Sequence, residues 1–493
     1  MRPSPVDMIV VGAGAAGLTV AAGWSRLGRR VALVEAGDVG GDCTNVGCIP
    51  SKTLIEVARR VAARPDRERP AAARDALAQA RRQRDAVRAH DAAWLAEASG
   101  IELVRGRARL VAARPGRVEV DVEAPDGLRR LAARRVVLAT GSVPVVPPVP
   151  GLEGADTPSS RVRTNATLFD LETPPAHLAV LGAGAIGCEM AFAFAHLGSR
   201  VTLIEAAGRV LPATEPEAAA AIRARLDAAG VRVLVGTRMA AFDPHGGRVA
   251  LASTEDDGSV GRDAPPPLEH VSDVLVAVGR RAATRDLGLA DVGVAVGPDG
   301  LVRVDRGYRT DAPGVYAIGD LIGGGFTHVA NAQGRRLVRR LALPLPLLPE
   351  GDHPSLAFTE PEVGQVGPTL AELRRRWPAE ILAVHRVALP NTDRGGTMGL
   401  RDGFVQLVAL RGSGRLLAAT VVAPDASEML PLLAAAQRRG TSLWRLARLE
   451  VAYPALSEAI RIAADAFVFG SLPRLHLELA AYLRWRWAGR PTR

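Results

Sequence analysis

Two cysteines stand five residues apart in the run Gly40-Gly41-Asp42-Cys43-Thr44-Asn45-Val46-Gly47-Cys48-Ile49-Pro50-Ser51-Lys52. A pair such as Cys43 and Cys48 can make and break a disulfide and so carry two electrons. Lys52 follows closely, and it is the only lysine in a chain of 493 residues whose lysines and arginines together number 62. The chain uses arginine at every other basic position and keeps one compact ammonium beside the cysteines. A planar guanidinium is a poor substitute for a point charge in a tight site. The alternative is chance in an arginine-biased composition. The third cysteine, Cys188, lies far off in the sequence and reads as a small buried residue.

A thiol pair of this kind needs a two-electron partner, and the elements around it suggest where that partner sits. Residues 6–11 read as a buried strand and lead into Gly12-Ala13-Gly14-Ala15-Ala16-Gly17. An alanine-rich helix and a second strand at 31–35 follow, the latter ending in Glu35. Glycines at 12, 14 and 17 allow a tight turn, close approach of backbone to a pyrophosphate, and close packing of helix on strand. Glu35 is placed to accept hydrogen bonds from ribose hydroxyls. The unit then recurs 170 residues later, with Gly182, Gly184, Gly187 and Glu205 in the same order. A repeat this long is no solenoid unit. It predicts two Rossmann-type domains and therefore two dinucleotides, for which a flavin and a nicotinamide are the natural pair.

The remaining chain divides around these units. Residues 59–98 read as a helical pair broken near Pro65 to Pro70, and 101–134 as a small antiparallel meander. A strand at 136–142 carries Thr140 and Gly141, and a proline-rich crossover follows. Residues 274–280 form a strand ending in Gly279 and Arg280. The strand at 315–320 ends in Gly319-Asp320, where the carboxylate could bind a cofactor hydroxyl. A polar insertion at 254–268 and a Pro/Leu linker at 341–349 separate elements. Residues 355–470 read as an α+β domain. The stretch from 472 to 493 is an amphipathic tail with Trp485 and Trp487 among arginines; it reads as a helix packed on its own protein, with membrane-surface contact the less favoured reading.

Composition excludes several classes. A hydrophobic fraction of 48% and a charged fraction of 23% suit a globular protein with sizeable cores. Net charge +10 invites a nucleic-acid reading, but aromatics are only 4% and nowhere interleave with basic residues, so no nucleic-acid partner is expected. Three cysteines make no disulfide scaffold, which points to the cytoplasm. No apolar stretch is long enough to span a bilayer, and no metal site is assigned.

These residues resemble the flavoprotein disulfide reductases, or class I pyridine nucleotide-disulfide oxidoreductases, a family that includes dihydrolipoyl dehydrogenases and mercuric reductases. The resemblance rests on the cysteine run, on Ala139-Thr140-Gly141, on the second glycine unit with Glu189, on Val278-Gly279-Arg280, on Tyr316-Ala317-Ile318-Gly319-Asp320 and on Phe358-Thr359-Glu360-Pro361-Glu362. It implies an α/β fold in which an NAD(P) domain (151–279) is inserted into an FAD domain (1–150 and 280–345). A C-terminal α+β dimerisation domain (350–470) and the tail (471–493) complete the chain. It implies a homodimer that passes hydride from NAD(P)H to FAD, then to a Cys43–Cys48 disulfide, then to a small disulfide or dithiol substrate. Cys43 would be the interchange thiol and Cys48 the charge-transfer thiolate, with Lys52 and Glu189 paired beside the flavin. Glu205 favours NADH over NADPH, because a 2′-phosphate calls for arginine where a carboxylate stands.

The pattern departs from the family at one place. Many members carry a His-Pro dipeptide near the C-terminus, with a glutamate five residues after the histidine; the histidine serves the interchange thiol across the dimer. Here the stretch is Tyr453-Pro454-Ala455-Leu456-Ser457-Glu458. Tyrosine titrates near ~10 and is a poor base at neutral pH. Tyrosine here resembles mercuric reductases, yet the tail lacks their usual cysteine pair. Metal-ion reduction and a redox-sensing flavoprotein with little turnover stand as alternative readings.

Overall fold

The computed structural model describes residues 6–157, 159–254, 265–343, 352–472 and 475–487. Most of the insertion at 254–268, most of the 341–349 linker and the end of the tail from residue 488 lie outside them. Strands Met8–Val11, Val31–Glu35, Ile101–Arg105, Arg135–Leu138 and Val315–Ala317 form a parallel sheet, with Met8–Val11 at its centre between Val31–Glu35 and Arg135–Leu138. The central strand is an unbroken apolar run because both faces are covered. Alternate residues of the sheet go to opposite faces. Met8, Val10, Val31 and Leu33 pack with Val20 and Trp24 of helix Ala15–Ser25 and Leu337 of helix Thr327–Ala342. Ile9, Val11, Ala32 and Val34 pack with Val118, Val120 and Val122 of an antiparallel three-stranded layer (Arg107–Arg114, Arg117–Ala124, Gly127–Ala133).

The meander therefore begins at Arg107. Residues 101–105 pair in parallel with 31–35 instead, Val31 opposite Ile101. Alternating residues do not distinguish a meander strand from the edge strand of a parallel sheet.

The second unit repeats the plan. His177–Leu181 lies at the centre of another five-stranded parallel sheet, flanked by Arg200–Ile204 and Asp273–Val276. One face holds helix Ala185–His196, through Met190 and Phe194. The other holds the hairpin Thr237–Asp243 and Arg248–Ser253, through Met239, Phe242, Val249 and Leu251. The chain leaves the first domain through Ser142–Pro144 and returns through Arg280–Ala282, and these two short strands pair antiparallel.

The C-terminal domain is an antiparallel five-stranded sheet whose inner residues Val405, Leu407 and Val421 pack on helices Ala426–Arg438 and Glu458–Ser471. Phe358, from the loop after its first strand, reaches back into the first two domains. Among the described residues no helix is long and apolar enough to cross a membrane.

Candidate active site

The segment after the second strand folds directly onto the glycine turn. Gly40 (φ +99°) and Gly41 (φ +60°) turn the chain into the short helix Gly41–Asn45. A Cβ on Gly41 would lie 2.7 Å from the Cα of Gly14, so only glycine lets this helix sit against the cradle. Asn45 locks the loop: its Nδ2 donates to the carbonyls of Val39 (3.1 Å) and Gly41 (2.9 Å), and its Oδ1 accepts from Arg88 (2.8 Å). A side chain on Gly47 would strike the carbonyl of Asp42 at 2.7 Å. The helix Cys48–Ala62 then starts at the second cysteine itself. Pro50 falls in its first turn, where a missing N–H costs nothing.

This geometry brings the thiols of Cys43 and Cys48 into hydrogen-bonding contact. The bond donated by Cys43 lowers the pKa of Cys48 to about 6, outweighing burial; Thr327 and the charge of Lys52 assist. The Thr327 hydroxyl lies 3.4 Å from Cys48 Sγ. Cys43 is pushed upward by the same bond and by burial. These interactions favour the thiolate on Cys48 and the protonated thiol on Cys43. Cys188 is raised by burial in the core and gives its Sγ–H to the Ala183 carbonyl, as expected of an inert structural thiol.

Lys52 sits one turn beyond Cys48 and pairs with Glu189 at 2.8 Å, the carboxylate being only 4% exposed. The other oxygen of Glu189 accepts from the Phe358 N–H (2.9 Å), while Lys52 lies 4.5 Å from the centre of the Phe358 ring. One residue of the C-terminal domain so braces both partners of an ion pair that joins the first domain to the second.

Cys43, Cys48, Lys52, Glu189, Thr327 and Phe358 line one cleft of about 1260 Å³, together with Gly12, Gly14, Glu35, Thr140, Gly141, Gly184, Gly279, Arg280 and Asp320. Gly17 lies behind it, packed so that a Cβ would sit 1.8 Å from the Gly12 carbonyl oxygen. The Glu35 carboxylate is fixed at the end of its strand by the N–H groups of Ala13 (2.6 Å) and Gly37 (2.7 Å). Asp320 opens a short helical turn and accepts from Ser142. The volume of the cleft and its glycine-lined floor at the head of helix Ala15–Ser25 fit FAD. Gly182, Gly187 and Glu205 form the corresponding cradle of the second domain, Glu205 accepting from Ala183 (2.6 Å) and Ala207 (2.7 Å).

The structure adds protein partners for Arg280, sets Tyr453 and Glu458 outside the cleft of their own protomer, and revises the reading of the tail. Arg280 lines the cleft, but its guanidinium is held by protein: Ser142 Oγ (2.8 Å), the Ser142 carbonyl (2.7 Å), Asn165 (3.0 Å) and Asp42. It clasps the interdomain crossover to the residue before Cys43. Tyr453 and Glu458 lie outside the cleft of their own protomer. Tyr453 is 71% exposed and donates to Asp393 (2.9 Å), whereas Glu458 pairs with Arg461 (2.9 Å). The tail helix Leu475–Trp487 does not bury its apolar stripe, with Leu479 50% and Trp487 85% exposed. A window that is apolar every fourth residue does not reveal whether a surface exists to receive it. Sequence reasoning missed Thr327, Ser142 and Asn165, which carry no motif, and did not give Phe358 its bracing role.

Residues 6–335 match the family described as pyridine nucleotide-disulphide oxidoreductase, and residues 353–464 match its dimerisation domain. The chain is 34% identical to a dihydrolipoyl dehydrogenase of Chlorobaculum tepidum over 469 residues, covering 93% of this chain and 96% of that one. It is also 34% identical to a mercuric reductase of Streptomyces lividans over 479 residues, covering 94% and 96%. Among solved structures, a Cu(II) complex of the HOCl-induced flavoprotein disulfide reductase RclA from Escherichia coli superposes with a TM-score of 0.81 at 26% identity, covering 94% and 99%. The chain belongs to the flavoprotein disulfide reductase family, whose members are homodimeric enzymes that use FAD and NAD(P)H.

Proposed function

We propose that this protein is an NAD(P)H-dependent disulfide oxidoreductase that works through Cys43 and Cys48 on a small disulfide or dithiol, in the manner of dihydrolipoyl dehydrogenases. The observation that carries the reading is the contact of the Cys43 and Cys48 thiols in the cleft, with the Lys52–Glu189 pair beside it. FAD, when bound, relays two electrons between the nicotinamide and the sulfur pair. The chain's residues do the rest. The Lys52 ammonium, held by Glu189, and Thr327 stabilise negative charge on Cys48 Sγ. Cys43, on the short helix ahead of it, hands its proton to Cys48 and attacks a substrate disulfide, and Cys48 passes that proton to the departing thiolate. Cys48 then closes on Cys43, releasing the second substrate thiol and re-forming the disulfide. A reducing cytoplasm suits such a free dithiol. NADH is the favoured donor: a carboxylate, Glu205, closes the second strand of its unit, where a 2′-phosphate would call for arginine, and nearby Arg209 donates into its own loop, to the carbonyls of Pro212 and Thr214.

The test is an anaerobic titration of the FAD-loaded protein with NADH, then NADPH. A long-wavelength thiolate–flavin band at two electrons, absent in Cys48→Ser, is expected. Bleaching of the flavin without that band would uncouple the cysteines from it and remove the reading.

A second reading, reduction of a soft metal ion such as Hg(II) held by the thiolates, draws on Tyr453. Its hydrogen bond to Asp393 raises its pKa further, so it is no base at neutral pH. Glu458 is turned to Arg461. This reading predicts NADH oxidation stimulated by Hg(II) in excess thiol, and little turnover with disulfides.

A further inference from the structure

The segment that carries Cys43 and Cys48 is held at two points by side chains from outside the first nucleotide unit. Asn165 follows strand Val162–Arg163, at the edge of the second parallel sheet. Its Nδ2 donates to the carbonyl of Val46 (3.2 Å), which lies between the two cysteines. Its Oδ1 accepts from Arg280 (3.0 Å), and the Arg280 guanidinium also donates to Asp42, the residue before Cys43. Because Asn165 and Arg280 are bonded to each other, the two holds act as one clasp. The clasp is anchored from behind. Asp156 accepts from the N–H of Thr164 (2.8 Å) and from the hydroxyls of Thr164 and Thr167, which fixes the turn carrying Asn165. Ser142 accepts from Arg280 through its Oγ (2.8 Å) and its carbonyl (2.7 Å).

We propose that Asn165 and Arg280 are positioning residues for the thiol pair, holding the segment in the bend from which Cys43 and Cys48 close into a disulfide. The inference rests on the reading of Cys43 and Cys48 as a redox pair. Thr327, Lys52 and Glu189 act on the sulfurs directly. Asn165 and Arg280 act through the Val46 carbonyl and the Asp42 side chain instead. A free segment samples many bends, few of which bring two sulfurs together, so a segment fixed beforehand closes with less loss of conformational entropy. Closure forms one S–S bond and gives up two protons and two electrons, which an acceptor disulfide takes as its own S–S bond opens to a dithiol. The clasp therefore raises the stability of the Cys43–Cys48 disulfide relative to the dithiol. A tie that served only to pack one domain on another would leave that equilibrium where it is.

The test is equilibration of the FAD-loaded, full-length protein with mixtures of reduced and oxidised dithiothreitol. Acid quenching, alkylation and mass spectrometry then count Cys43 and Cys48 as dithiol or disulfide. Asn165→Ala changes no charge and should lower the equilibrium constant for the disulfide about tenfold, the scale of one lost hydrogen bond. For a two-electron couple that is about 30 mV. Asn165→Asp keeps the size and the acceptor for Arg280 and loses only the donor to Val46, so it should shift the constant the same way by less. Asp42→Ala, at a half-exposed position, should also lower it. Flavin content and melting temperature should stay unchanged in all three, which separates positioning from folding. An equilibrium constant unmoved in both Asn165→Ala and Asp42→Ala would overturn the proposal, and so would a more stable disulfide in Asn165→Ala. Failure of the unmodified protein to form a Cys43–Cys48 disulfide in any mixture would remove the redox-pair reading itself.

Discussion

In the first nucleotide unit Gly12 adopts φ +103°, and a Cβ there would lie 2.4 Å from the Ala139 carbonyl oxygen; in the second, Gly182 adopts +100° and meets the Ala277 oxygen at 2.6 Å. Gly17 and Gly187 would strike the carbonyls of Gly12 and Gly182 at 1.8 and 1.9 Å. Ala13 and Ala183 donate to Glu35 and Glu205 at the same 2.6 Å. The units part company after the second strand. The Ala13 carbonyl receives the N–H of Gly40, and the chain turns at once into the cysteine helix. The Ala183 carbonyl receives the N–H of Leu211, and the chain runs on to helix Pro216–Ala228, with no reactive group between. Gly14 is consequently covered by Gly41, while a Cβ on Gly184 would meet nothing within 4 Å. One cradle gains a cysteine pair from the segment that leaves its second strand; the other gains none and keeps Gly184 uncovered.

Matched substitutions would break this comparison most sharply. Gly12→Ala and Gly182→Ala face nearly the same clash and the same left-handed backbone, each costing at least about 2 kcal/mol locally. Gly12→Ala should purify without flavin and without activity. Gly182→Ala should keep its flavin spectrum and raise the KM for NADH by more than roughly tenfold. If both lose flavin, the cradles are not functionally separate.

The cysteine segment of the first unit gives a narrower test. In the reduced protein Cys48 should be protonated below, and thiolate above, a midpoint near pH 6. Its alkylation rate by iodoacetamide should therefore fall as pH drops through that value. Cys43→Ala, which removes the largest stabilising bond, should move the midpoint up the most, and Lys52→Met less. A midpoint that stays at the ordinary thiol value in the unmodified protein would contradict the division of the pair.

The smallest effect belongs to the strand-end carboxylates. Glu205→Ala should narrow the preference for NADH over NADPH by about tenfold, or about 1.4 kcal/mol, in kcat/KM. Glu35→Ala should leave that ratio alone and weaken flavin retention. Equal effects on the ratio would mean that Glu205 does not face the nicotinamide nucleotide's ribose.

How much of this was legible depends on the range of the interactions. Turn glycines, buried strands and the acids closing them are local, which is why Gly12, Glu35 and their counterparts could be read without a structure. Lys52 was legible through composition, as a lone exception in an arginine-using chain. The edge strand at 101–105 was not, because its register with 31–35 spans some seventy residues and its alternation fits either kind of sheet. The clasp that Arg280 makes was not legible for the same reason: its partners Asp42, Ser142 and Asn165 come from three distant segments.

The two nucleotide cradles, the cysteine pair with its lysine, and the exchange of histidine for Tyr453 are all written in the linear chain. They rest on backbone sterics and on residue chemistry, which the types and spacings carry. Folding was needed to show that Phe358 braces Lys52 and Glu189, that Thr327 meets Cys48, that Tyr453 turns to Asp393 and that Leu479 and Trp487 of the tail stay exposed on the protomer. Each of these depends on which surfaces meet when three domains close on one another, and packing between distant segments leaves no periodicity in the chain.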